Sequence, residues 1–153
     1  YAQLNTITGK TYNEWFQSIA LIGFIQAIAI MYKGGFPEFI ALIPISIAVA
    51  IIRYYGGRWR VTSFIVDMIA SFMIALITYF MSVIMPVSIS EDIMIISAIM
   101  PLLPGTALTN GVRDIFRGDY MSGGAKMLEA LLIAIFVAIG IGSGLVLGGK
   151  IFG

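Results

Sequence analysis

Long apolar runs separated by short polar breaks dominate this chain. The hydrocarbon core of a bilayer takes about 20 predominantly apolar helical residues, and five stretches approach that length. The first covers 15–32, broken only by Gln17, Ser18 and Gln26. Lys33-Gly34-Gly35 predicts a tight turn after it, because glycine tolerates the positive φ that such turns use. The second covers 36–52, with Pro44 inside, and the polar stretch 53–60 closes it. Tyr54, Tyr55 and Trp59 in that stretch suit the headgroup level. The third covers 61–85 and holds one acid, Asp67. After a polar turn at 86–92 the fourth runs over 93–116, interrupted by Pro101, Pro104 and Gly105. A loop over 117–124 precedes the fifth, 125–149. Residues 1–14 are polar and read as a cytoplasmic juxtamembrane segment or the end of a cytoplasmic domain.

Composition turns this pattern into a class. Of the 153 residues 59% are hydrophobic and 11% charged, against about 25% charged in soluble domains. So few charges cannot cover the surface of a water-soluble globule. The expected fold is an all-α integral membrane protein, a bundle of about five transmembrane helices with the fourth broken at Pro101/Pro104-Gly105. The chain opens on Tyr1 with no basic stretch ahead of an apolar run, so a signal peptide is not expected and the sequence reads as a fragment.

The basic residues give an orientation. Lys10, Arg53, Arg58, Arg60, Arg113, Arg117 and Lys126 fall on one side of the five-span layout, Lys33 and Lys150 on the other. This predicts a cytoplasmic N-terminus and a C-terminus outside. The scattered charges, net +1, offer no surface for nucleic acid.

Chemistry is narrowed by what is missing. The sequence has no Cys and no His, which excludes thiol nucleophiles, haem, zinc centres and a Ser-His-Asp triad. The glycine pairs at 34–35, 56–57 and 123–124 lack the flanking residues of a nucleotide site. Neither an enzyme nor a bound cofactor or metal is expected.

Ionisable groups inside spans are costly, so they face protein or water and are functional candidates. Asp67 and Glu129 lie inside spans three and five, and Arg113 and Asp114 close span four. One reading is an ion-paired clasp, with Arg113 bridging Asp67 or Glu129. The other is a proton-coupling or substrate site, in which burial tunes a carboxyl.

Span four carries the most specific pattern. Pro101 and Pro104 cannot donate to the carbonyls of Ser97 and Met100, and a half-helix starting at Gly105 has unpaired first-turn amides. Its positive end suits a carboxylate, and freed carbonyls suit an ammonium. The break falls about midway along the predicted span, where discontinuous helices of transporters hold substrate. Thr106, Asn110 and Arg113 recur at i, i+4, i+7 and share one face. A proline kink with Thr and Asn bonded to a neighbouring helix is the alternative. In span five, Ala130, Ala134 and Ala138 followed by Gly140, Gly144 and Gly148 form a small-residue face for packing within the chain or between protomers.

The run Pro104-Gly105-Thr106-Ala107-Leu108-Thr109-Asn110-Gly111-Val112-Arg113-Asp114, then Gly118-Asp119-Tyr120-Met121-Ser122-Gly123 and Glu129-Ala130-Leu131-Leu132, resembles the first transmembrane module of the threonine/serine exporter (ThrE) family. The resemblance covers almost the whole chain. It implies export of small amino acids, threonine and serine, across the bacterial inner membrane, coupled to the proton gradient; some relatives look linked to dicarboxylates such as succinate. It also implies a cytoplasmic region upstream and a second membrane module, fused or separate, as partner, with a homo-oligomer as another arrangement.

From these readings Gly105, Thr106, Thr109 and Asn110 are expected to contact the solute. Asp67 or Glu129 would carry the coupling proton, and Arg113 and Asp114 would gate the cytoplasmic mouth. A passive channel, and a scaffold subunit completed by a partner membrane protein, remain rival readings.

Overall fold

The computed structural model describes residues 14–58, 62–85 and 88–152. Lys10, Trp59, Arg60 and Pro86, which entered the sequence reading, lie outside the described residues, as does nearly all of 1–14. Six α-helices follow one another, with no strand among the described residues: α1 (Glu14–Met31), α2 (Phe36–Arg58), α3 (Ser63–Ile84), α4 (Glu91–Ile99), α5 (Gly105–Phe116) and α6 (Tyr120–Phe152). A 3-10 turn over Met100–Leu102 extends α4.

Ile25 of α1, Leu42 and Ile45 of α2, Ile74 of α3, and Met94 and Leu102 at α4 form a core that excludes solvent. Large apolar side chains also cover the outside, among them Ile19, Ile51, Ile69, Val83 and Ile139. A surface apolar on all sides belongs in lipid. Phe36–Gly56, Ser63–Ile84 and Tyr120–Ile151 are long and apolar enough to cross a membrane, and α4 with α5, bent by 54° at the break, is a fourth candidate. The apolar part of α1, Phe16–Met31, is shorter. The fold is an all-α membrane bundle.

Two expected loops are helical instead. Helix α2 continues through Arg53 to Arg58 because Gly56 lets it approach α3: a Cβ there would fall 2.6 Å from Val66 Cγ2. Helix α6 starts at Tyr120, where the Asp119 carboxylate accepts the Ser122 amide at 3.1 Å and satisfies a first-turn donor. In the turn after α1 the positive φ belongs to Lys33, at 59°, not to the glycines.

The glycines of α6 settle what its small-residue face packs against. A Cβ on Gly140 would collide with Ser71 Oγ, one on Gly144 would sit 2.7 Å from Ala75 Cβ, and one on Gly148 3.0 Å from Tyr79 Cβ. The seam is therefore within the chain, between α3 and α6, which make the most extensive contact in the molecule. Phe64 and Phe136 stack at 6.1 Å on the same pair of helices. Of the three alanines only Ala130 is buried; Ala134 and Ala138 are exposed.

The pairs 140 with 71, 144 with 75 and 148 with 79 run in constant register, so α3 and α6 are parallel and Ser63 lies level with residue 132. With 33 residues α6 is about 50 Å long, and its first turns extend past the start of α3 by about 18 Å. The run 131–149 carries no charge and measures about 28 Å, one hydrocarbon thickness.

Candidate functional site

Helix α5 packs antiparallel on the projecting turns of α6. A Cβ at Gly111 would meet Met127 Cγ at 3.0 Å and the Gly123 carbonyl at 3.1 Å, so the two backbones run close together. The Asp114 carboxylate accepts from Lys126 Nζ and from Ser122 Oγ at 3.1 Å, which ties the base of this hairpin. Asp114 is thus paired across the hairpin.

The break before α5 lies level with Ala130, Leu131 and Ala134, which line a groove of about 770 Å³ together with Leu103, Pro104 and Gly105. That level is the start of α3, so the break sits at one end of the bundle and not midway along the span. The shortened winding explains the difference. Nine α-helical residues, three in a 3-10 turn, the extended Leu103 and Pro104 at the centre of a tight turn together reach about 25 Å. That consumes most of a hydrocarbon thickness before α5 begins.

Two expected backbone groups are occupied. The Met100 carbonyl accepts the Leu103 amide at 3.3 Å, and the Gly105 amide donates to the Leu103 carbonyl at 2.8 Å. The Thr106 and Ala107 amides have no backbone partner among the described residues. Thr109 Oγ1 donates back to the Gly105 carbonyl at 2.7 Å.

The predicted polar stripe is intact. Thr106, Thr109 and Arg113 are exposed and Asn110 partly buried on α5, a face turned away from the groove, whose α5 lining is Gly105 and Leu108. Arg113 forms no ion pair among the described residues. Glu129 is exposed on α6, level with the start of α3, and also forms none.

Asp67 is 3% exposed on the first turns of α3. Its partner is Arg53 of α2, whose Nη2 stands 3.5 Å from Oδ1, and Ser63 Oγ donates to Oδ2 at 3.4 Å. The clasp expected from Arg113 is made by Arg53, because α5 packs on α6 while the end of α2 lies against the start of α3. Sequence reasoning missed Arg53 by placing it in a loop. The only signal was a helical continuation across Tyr54 and Tyr55.

Arg53, Arg113, Arg117 and Lys126 therefore gather at one end of the molecule with Asp67, Asp114 and Glu129, while Lys33, Glu38, Glu91, Asp92 and Lys150 occupy the other. One carboxylate at the first end is buried against a half-exposed guanidinium, and the polar face of α5 lies at the same end.

A family model described as "Putative threonine/serine exporter" matches residues 1–148 of the chain. Neither the curated proteins nor the solved structures gave a match.

Proposed function

The chain belongs to the threonine/serine exporter family, and on that premise we propose that it exports small amino acids, threonine and serine, in exchange for protons. The observation that carries this reading is the exposed polar face of α5, Thr106, Thr109, Asn110 and Arg113, at the end of the bundle that also holds the Arg53–Asp67 pair. In this reading that end is the cytoplasmic mouth in a bacterial inner membrane. The seven-to-two distribution of Lys and Arg supports it. Five spans cross the membrane, with α1 as the short first one.

Solute arrives on α5. The unpaired amides of Thr106 and Ala107 and the Arg113 guanidinium attract its carboxylate, Thr109 and Asn110 take its polar atoms, and Gly105 keeps the approach open. Asp114 holds the hairpin closed through Lys126, and Glu129 sits at the edge of the charge-free run. Asp67 exchanges the coupling proton: once protonated it no longer holds Arg53, and α2 is released from α3. A second membrane module or a second copy covers the remaining polar face of α5, since an uncompensated guanidinium is not left against lipid.

Efflux of labelled threonine and serine from loaded proteoliposomes tests the reading. Asn110→Ala and Glu129→Gln are expected to slow efflux at least tenfold and threefold respectively; wild-type efflux from both would sink the site assignment. Arg113 and Arg117, both exposed cations, also fit a dicarboxylate, so competition by succinate stronger than by serine would replace the amino-acid reading.

A further inference from the structure

Among the described residues, three buried side chains carry polar atoms with no hydrogen-bond partner: Gln26 through both amide atoms, Thr78 through Oγ1 and Ser97 through Oγ. Gln26 is 8% exposed, Thr78 and Ser97 not at all. Other buried hydroxyls do not behave this way. Ser46 donates to the Ile43 carbonyl and Ser71 to the Met68 carbonyl, each at 2.9 Å. Unpartnered buried groups destabilise a fold and call for an explanation.

The three lie at one height. A Cβ on Gly34 would touch the Ala29 carbonyl at 3.0 Å and Ile93 Cγ2 at 3.4 Å, so Ala29 of α1 and Ile93 of α4 are level. Gln26 comes three residues before Ala29 and Ser97 four after Ile93, both toward the Arg53 end, which leaves them within about 2 Å of one height. From the other side, Gly56 against Val66 sets the antiparallel register of α2 and α3 and puts Glu38 level with residue 84. Glu38 accepts the Ser90 amide at 3.1 Å. Ser97, seven residues further on, then lies level with 77, beside Thr78. Helix α4 touches both α1 and α3. Pro101 also gives no N–H to the Ser97 carbonyl, which adds a backbone acceptor at that level.

We propose that Gln26, Thr78 and Ser97 form a polar collar near the Lys33 end of the bundle, closed here, which takes up water and small polar solutes without net charge when α1 and α4 part from α3. Its groups are neutral donors and acceptors, with no charged side chain at that level among the described residues. This fits the hydroxyl and the paired charges of a zwitterion and disfavours a dianion. The proposal rests on the transport reading above and gives the path its second constriction, at the end opposite Asp67.

Because the sequence has no cysteine, access to the collar can be measured without knowing the solute. Ser97→Cys in proteoliposomes is expected to react with a hydrophilic methanethiosulfonate reagent, while Ala98→Cys, equally buried but apolar in its surroundings, reacts at least tenfold more slowly. Equal rates, or no reaction at Ser97→Cys, overturn the collar. Gln26→Leu removes the unpartnered amide and is expected to raise the thermal midpoint by about 3 °C while slowing threonine efflux at least tenfold. A lowered midpoint or unchanged efflux overturns the proposal. If wild-type protein moves no threonine yet Ser97→Cys reacts selectively, the amino-acid reading fails and the collar stands.

Discussion

Helix α6 meets two neighbours in opposite ways. Along α3 it presents Gly140, Gly144 and Gly148; at the first two an added methyl would run into α3, and at the third it would press on the Tyr79 side chain. Along α5 it shares one close approach at Gly111 and Gly123 and a surface ion pair, and the rest of the shorter helix keeps a polar face open. The first contact is all shape: dispersion across a dry seam, where small residues replace a hydrophobic drive that lipid does not supply. The second is amphipathic and incomplete within one chain. The bundle thus joins a tightly packed spine, α3 with α6, to a short helix held more loosely on the projecting turns of α6.

The contrast can be broken from the spine side first. Gly144→Leu places a side chain against the Phe72 carbonyl and Ala75; it is expected to cost about 4 kcal/mol or more, seen as loss of folded protein in size-exclusion chromatography. Unchanged folding would mean the seam is looser than drawn. Asp67→Ala leaves Arg53 and Ser63 without their acceptor, and the expected loss is about 1–3 kcal/mol, since Arg53 is half exposed and water relieves part of the cost. On the hairpin, Arg113→Ala separates function from stability: the side chain has no ion pair to lose among the described residues, so the thermal midpoint stays within about 1 °C while efflux falls at least fivefold. A large drop in midpoint would show that Arg113 is structural. Smallest is Thr109→Val, which removes the bond to the Gly105 carbonyl for a change of about 0.5 kcal/mol.

Much of the bundle was legible because apolar length and charge placement are local properties. The runs over 61–85 and 125–149 lie within α3 and α6, give or take a few residues, and the glycine stripe announced a packing face without naming its partner. What the sequence hid is relational. Arg53 reads as a loop residue until Gly56 is seen against Val66, and only then does it become the partner of Asp67. The proline break reads as mid-membrane when span four is measured as uniform helix. A 3-10 turn and the extended Leu103 reach further per residue than an α-helix, which moves α5 to the end of the bundle. Gln26, Thr78 and Ser97 passed as incidental polar residues, because nothing local to each one reveals that they share a level.

The central claim is that Asp67 carries the proton that drives export. Threonine efflux from proteoliposomes with and without an imposed pH gradient, compared between wild type and Asp67→Asn, tests it most directly. The account predicts that the gradient accelerates wild-type efflux severalfold and leaves Asp67→Asn unaffected. A gradient that accelerates Asp67→Asn as much as wild type would contradict it.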